Sequence, residues 1–117
     1  MIMNKNYLLS DIFLDVLEYN GNKLSRDFVR RVRITIKSPE CAELFNFLVT
    51  NAVGGRIRIK HSVVANAIEC LKKVYEKEIE ENDSISDKEE SKQKMRTDMD
   101  VYHDLLEKYI ASNLLFE

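Results

Sequence analysis

Six cations fall in two short alternating stretches: Arg31, Arg33 and Lys37 in Arg31-Val32-Arg33-Ile34-Thr35-Ile36-Lys37, and Arg56, Arg58 and Lys60 in Arg56-Ile57-Arg58-Ile59-Lys60. Guanidinium forks and ammonium groups pair with phosphate oxygens. A row of such charges anchors a DNA or RNA backbone with an affinity that falls steeply as salt rises. Lys23, Arg26 and Arg30 extend the row toward the N-terminus. No aromatic residue interleaves the arginines of the two stretches, which argues against bases of a single strand stacking there.

Other chemistry finds little support. The chain has two histidines, His61 and His103, and neither stands at zinc-ligand spacing from a partner. His61 precedes Ser62 at a helix start and reads as a surface or capping residue, and His103 reads as a solvated helix position. Cys41 and Cys70 each lie within an apolar helical pattern, where cysteine behaves as a small hydrophobe, so no disulfide is expected and the compartment reads as reducing. Asp98 and Asp100 do not share a helix face, which leaves Asp98, Asp100 and Asp104 a poor cation site. Gly54-Gly55 is an isolated pair outside any phosphate-cradling motif. These residues imply no enzymatic activity, no metal and no cofactor.

The elements that would position the cations follow from periodicity. Alternation of period two makes Arg31 to Lys37 and Arg56 to Lys60 strands, with Val32, Ile34, Ile36, Ile57 and Ile59 on the core face and the cations on the other. Between them Ser38-Pro39-Glu40 is a helix start, with serine as cap, proline in the first turn and glutamate at the positive end of the dipole. Cys41, Leu44, Phe45, Leu48 and Ala52 continue that helix over Pro39 to Val53, and Gly54-Gly55 stops it. Short links at both ends make the two strands parallel in a right-handed crossover. A sheet of two strands is marginal alone, which leaves room for a further strand from residues 14–19, from residues 26–30 or from a second copy of the chain in a homodimer.

Outside this β-α-β part, Leu9, Ile12, Phe13, Val16 and Leu17 make a helix of Tyr7 to Tyr19, capped at Asn20-Gly21. Ser62 to Asn82 repeats apolar residues at three or four, beginning from a serine cap. Asp83 to Lys94 reads as a solvated connector, and Lys94 to Phe116 as a second amphipathic helix that folds back as a hairpin. Apolar surface left over near Tyr109, Leu114, Leu115 and Phe116 would suit a protein partner. The order basic strand, helix, Gly-Gly, basic strand over residues 31–60 looks like a fragment of a LAGLIDADG homing-endonuclease domain. Leu8 to Asp15 lacks that family's glycines and register, so neither nuclease activity nor membership follows.

With 117 residues, 44% hydrophobic and 32% charged, three glycines and one proline, the chain fits one ordered domain. Its net charge of −2 hides a division. Residues 21–61 carry nine Lys or Arg against three Asp or Glu, and residues 62–117 carry eight against fourteen. No apolar run reaches the length of a membrane span and the N-terminus has no signal-peptide pattern, which implies a cytoplasmic protein. The Asn, Lys and Ile content suits an AT-rich bacterial or phage genome. The expected fold is α+β: a single domain of residues 1–117, with a helix and a basic two-stranded β-α-β part over 1–61, an acidic helical hairpin over 62–117, and about four helices. The expected function is a non-enzymatic nucleic-acid-binding accessory or regulatory protein. The alternative is a protein-binding inhibitor or adaptor that acts through the hairpin or by self-association.

Overall fold

The computed structural model describes residues 7–46, 48–49, 58–113 and 115–116. Five helices carry the fold: α1 (Leu9–Tyr19), α2 (Arg26–Ile36), α3 (Pro39–Phe45), α4 (His61–Glu81) and α5 (Lys88–Asn113). Extended structure among the described residues is confined to four two-residue segments, β1 (Tyr7–Leu8), β2 (Leu48–Val49), β3 (Arg58–Ile59) and β4 (Leu115–Phe116). β1 pairs antiparallel with β2, and β3 pairs parallel with β4. The expected α+β fold with a β-α-β core is therefore wrong, and the molecule is helical.

The error lies in α2. Read alone, residues 31–37 alternate, but the pattern that governs them starts upstream, where Phe28, Val32, Thr35 and Ile36 stand on one helical face and are buried. Ser25 opens the helix, its Oγ accepting from the Phe28 amide at 3.3 Å. Two residues discriminate between strand and helix. Alternation puts Ile34 in the core and Thr35 outside, whereas Ile34 is 51% exposed and Thr35 is 0% exposed. Burial of Thr35 is tolerated because its hydroxyl donates to the Arg31 carbonyl one turn back at 2.8 Å. Helix α2 ends where Pro39 removes the next amide, and Ser38 Oγ donates to the Thr35 carbonyl at 2.7 Å.

The helix expected over Pro39 to Val53 stops at Phe45. Cys41 and Phe45 face the core, Asn46 closes the last turn, and Leu48–Val49 is extended against Tyr7–Leu8. The fragment resemblance over residues 31–60 goes with the strand that carried it. Gly54-Gly55, Arg56 and Ile57 lie outside the described residues.

α4 and α5 form the expected hairpin with shifted ends. α4 begins at His61, so Ser62 lies inside the first turn, and the cap residue Lys60 contributes no side-chain bond. The connector is shorter than expected, because Asp87 Oδ1 accepts from the Glu90 amide at 3.0 Å and starts α5. Asn82 organises the turn, its Oδ1 accepting from the Ser84 amide at 3.0 Å. Lys88 Nζ donates to the carbonyls of Glu80 at 2.6 Å and Asn82 at 3.2 Å, occupying acceptors at the end of α4. Lys92 with Glu80 and Arg96 with Glu76 fix an antiparallel register. No helix among the described residues is long and apolar enough to cross a membrane.

The buried side chains of α1 to α5 join one cluster, with Tyr102 of α5 at its centre. Its ring meets Phe13 edge-on at 5.7 Å and Phe28 edge-on at 5.9 Å, and Phe13 in turn meets Phe45 at 4.9 Å. Its hydroxyl donates to the Phe13 carbonyl at 2.6 Å. Burial holds that phenol well above its ordinary value, and burial also raises the half-buried Tyr75.

Tyr102→Phe keeps the ring contacts and loses one buried hydrogen bond. It is expected to destabilise the fold by about 1 kcal/mol, read from the urea midpoint. Cys41, Tyr75 and Tyr102 all hold their protons more tightly folded than at their ordinary values of 9.0, 10.0 and 10.0. Stability is therefore expected to be flat from about pH 7 to about pH 9 and to fall as pH rises beyond it, because the unfolded chain releases protons that the folded chain retains. Denaturant midpoints measured from pH 7 upward check the sign.

Candidate nucleic-acid interface

Helix α2 turns one face to the core and the opposite one to solvent. On the solvent face Arg26, Arg30, Arg33 and Lys37 follow one another at intervals of four, three and four residues, and all four are exposed. Eleven residues of helical rise spread them over about 16 Å. Lys23, in the turn before the helix, is also exposed. Arg30 lies 3.7 Å from Asp27, but both side chains are so open to water that the pair neutralises little. Arg26, Arg33 and Lys37 make no ion pair among the described residues.

The six cations of the two alternating stretches do not form one row. Arg33 and Lys37 belong to the outer face of α2. Arg31 is rotated away from them and sits 3.2 Å from Glu78 of α4, each side chain about one-third exposed. It fastens α2 to the hairpin. Arg58 belongs to β3, Lys60 is exposed at the start of α4, and Arg56 lies outside the described residues. Arg26 and Arg30, which alternation treats as an extension, become half of the stripe once the period is helical.

A cleft of about 460 Å³ opens between α2, α4 and α5 beside this face. Its walls bring Arg31 and Glu78 together with Tyr75, Ser25 and Asp98. Ser25 Oγ donates to Asp98 Oδ2 at 2.8 Å, so the residue that caps α2 is also tied to α5. Charges of both signs meet in the cleft and cancel there.

Part of the hairpin's charge is paired within it. Glu69 pairs with Lys72, Glu76 with Arg96, Glu80 and Glu89 with Lys92, Glu90 with Lys94, and Asp104 with Lys108. The hydrogen bond from Lys92 holds Glu80 below the usual carboxylate range and raises Lys92 in return. Of the α2 cations, the acidic hairpin covers Arg31 and leaves the outer stripe bare.

The remaining candidates are dispersed or structural. Glu107 of α5 meets both histidines, His61 Nδ1 at 3.0 Å and His103 Nε2 at 3.4 Å. His61, exposed as expected of a surface residue, reaches across to α5 at the hairpin base, whereas His103 is half-buried and not the solvated helix position that sequence implies. Among the described residues no group of three or more His, Cys, Asp or Glu is arranged to hold a metal. Leu115 and Phe116 spend their backbone on β3, Tyr109 packs against the core, and Leu114 lies outside the described residues.

These features define a class, a small helical protein with a basic stripe along one exposed helix. No protein-family model, curated protein or solved structure matches the chain.

Arg31→Ala leaves the Glu78 carboxylate without its cation and is expected to destabilise the fold by about 1 kcal/mol. Arg33→Ala, two residues along the same helix, is expected to change stability by less than about 0.5 kcal/mol. Equal effects of the two changes on the urea midpoint would deny the division of labour between them.

Proposed function

We propose that the protein binds nucleic acid through phosphate contacts made by the outer face of α2. The observation that carries the reading is the exposed row of Arg26, Arg30, Arg33 and Lys37. Cations at intervals of four, three and four fall on a single line of a helix, and a helix is the element that a duplex major groove admits. Guanidinium forks match phosphate oxygens, and each contact releases counterions from the nucleic acid. The contacts in this reading are to the backbone, which carries no sequence information, and sequence selectivity is low. The role this supports is an accessory or regulatory one without catalysis.

The competing reading, a partner-binding hairpin, has less behind it. Six of the acidic residues that would attract a partner, Glu69, Glu76, Glu80, Glu89, Glu90 and Asp104, pair with lysines and arginines of the same two helices. The terminal segment that would dock is paired to β3.

Fluorescence anisotropy of a labelled DNA duplex across a salt series tests the proposal. With four to five phosphate contacts, log K against log salt is expected to slope at about −4. Arg30→Glu combined with Arg33→Glu is expected to weaken binding about a hundredfold at low salt with an unchanged circular-dichroism spectrum. A wild-type protein that fails to bind at low salt, or a double variant that binds as well as wild type, rejects this role for α2.

A further inference from the structure

α3 and α4 meet at a pair of sulfurs. Cys41 lies in the first turns of α3 and is fully buried, while Cys70 lies midway along α4 and is only partly covered. Their Sγ atoms are 3.1 Å apart, and both cysteines are free thiols. A disulfide needs about 2.05 Å, so roughly 1 Å of approach, within reach of small side-chain rotations, separates the two states. Neither sulfur is carried on a loose segment. Cys41 is fixed by its amide, which donates to the Ser38 carbonyl at 3.1 Å, and Cys70 by the buried face of α4 on either side of it, Ile68 and Leu71. Cys70 Sγ also stands 3.8 Å from the Glu40 carbonyl, over the first turn of α3.

We propose that Cys41 and Cys70 form a two-cysteine redox site, which a low-molecular-weight disulfide of the glutathione type oxidises to an intramolecular bond joining α3 to α4. Cys70, the sulfur that solvent reaches, gives up its proton and attacks one sulfur of the small disulfide. That S–S bond breaks, a Cys70 mixed disulfide forms, and the first small thiolate leaves and takes up a proton. Cys41 Sγ then attacks the Cys70 sulfur. The mixed S–S bond breaks, the second small thiolate departs and accepts the Cys41 proton, and the Cys41–Cys70 bond remains. Two protein thiols are oxidised and one small disulfide is reduced to two thiols.

The environments divide these roles. Burial, helped by the contact with Cys70, pushes the Cys41 thiol up to about 12, which unfits it to start the exchange. It resolves the mixed disulfide instead, and closure therefore quickens as pH rises. The bond would close a chain loop from residue 41 to residue 70, a constraint that acts mainly on the unfolded chain.

The test is to equilibrate the full chain with excess glutathione disulfide, trap it with an alkylating agent in denaturant, and determine the intact mass and the linked peptides. The expected product is a monomer lighter by two hydrogen atoms, with Cys41 joined to Cys70, restored by a phosphine reductant and melting at least about 5 °C higher than the reduced form. Cys41→Ala should stop at the glutathione adduct on Cys70. Cys70→Ser, at the less buried position, should leave Cys41 unmodified. Recovery of wild-type protein with both thiols alkylated, with a lasting adduct on Cys70, or as a cross-linked dimer would overturn the proposal. Because the decisive measurement is made on the unaltered chain, failure of the Cys41 variant to fold would not blunt it.

Discussion

The hydroxyl of Tyr102 has no access to water, and a buried phenol without a partner would cost several times what its hydrogen bond contributes. The Phe13 carbonyl supplies that partner at 2.6 Å, and in doing so fixes where α1 lies along α5. The same ring touches Phe13 on one side and Phe28 on the other, so α1, α2 and α5 are registered about one side chain. Tyr75 of α4 stacks on Phe28 from the hairpin's other helix, at 5.9 Å. The orientation of α2, and with it the direction in which its cations face, follows from the packing of Phe28 between the Tyr102 and Tyr75 rings.

Electrostatics act on two levels. Within the hairpin, Lys92 with Glu80 and Arg96 with Glu76 meet across the antiparallel helices, in pairs that fix register more than they add stability. On α2 the charges have one sign and stand on a line, held outward because Phe28, Val32, Thr35 and Ile36 occupy the inner face. Arg31 marks the boundary, where the basic helix and the acidic hairpin join through one ion pair with Glu78.

The long helices were legible in the sequence. Leu9 to Leu17, Val64 to Ile79 and Val101 to Ile110 repeat at three and four over enough turns that no strand pattern competes. α2 was not, because Arg31 to Lys37 satisfies period two over a short window and is rich in β-branched residues, which favour strands. Only a window that includes Ser25 and Phe28 shows the helical face, and tertiary packing decided the matter by burying Thr35 in place of Ile34. The basic character of the region survived that error, while its geometry did not: Arg33 and Lys37 kept their place, Arg31 turned inward, and Arg26 and Arg30 moved from margin to centre. Neither the Cys41–Cys70 contact nor the meeting of Glu107 with both histidines had a sequence signal, since each joins residues of separate elements.

The two short strand pairs have a topological meaning larger than their length. β1 with β2 closes the chain from Tyr7 to Val49 into one loop, and β3 with β4 closes it from Arg58 to Phe116 into another. The second loop contains the whole hairpin, whose contacts are local in sequence, and contacts of that kind form early because little chain entropy is lost in making them. The Tyr102–Phe13 bond spans 89 residues and belongs to neither loop alone. It forms only where the two closed units are docked, so its loss reports their separation.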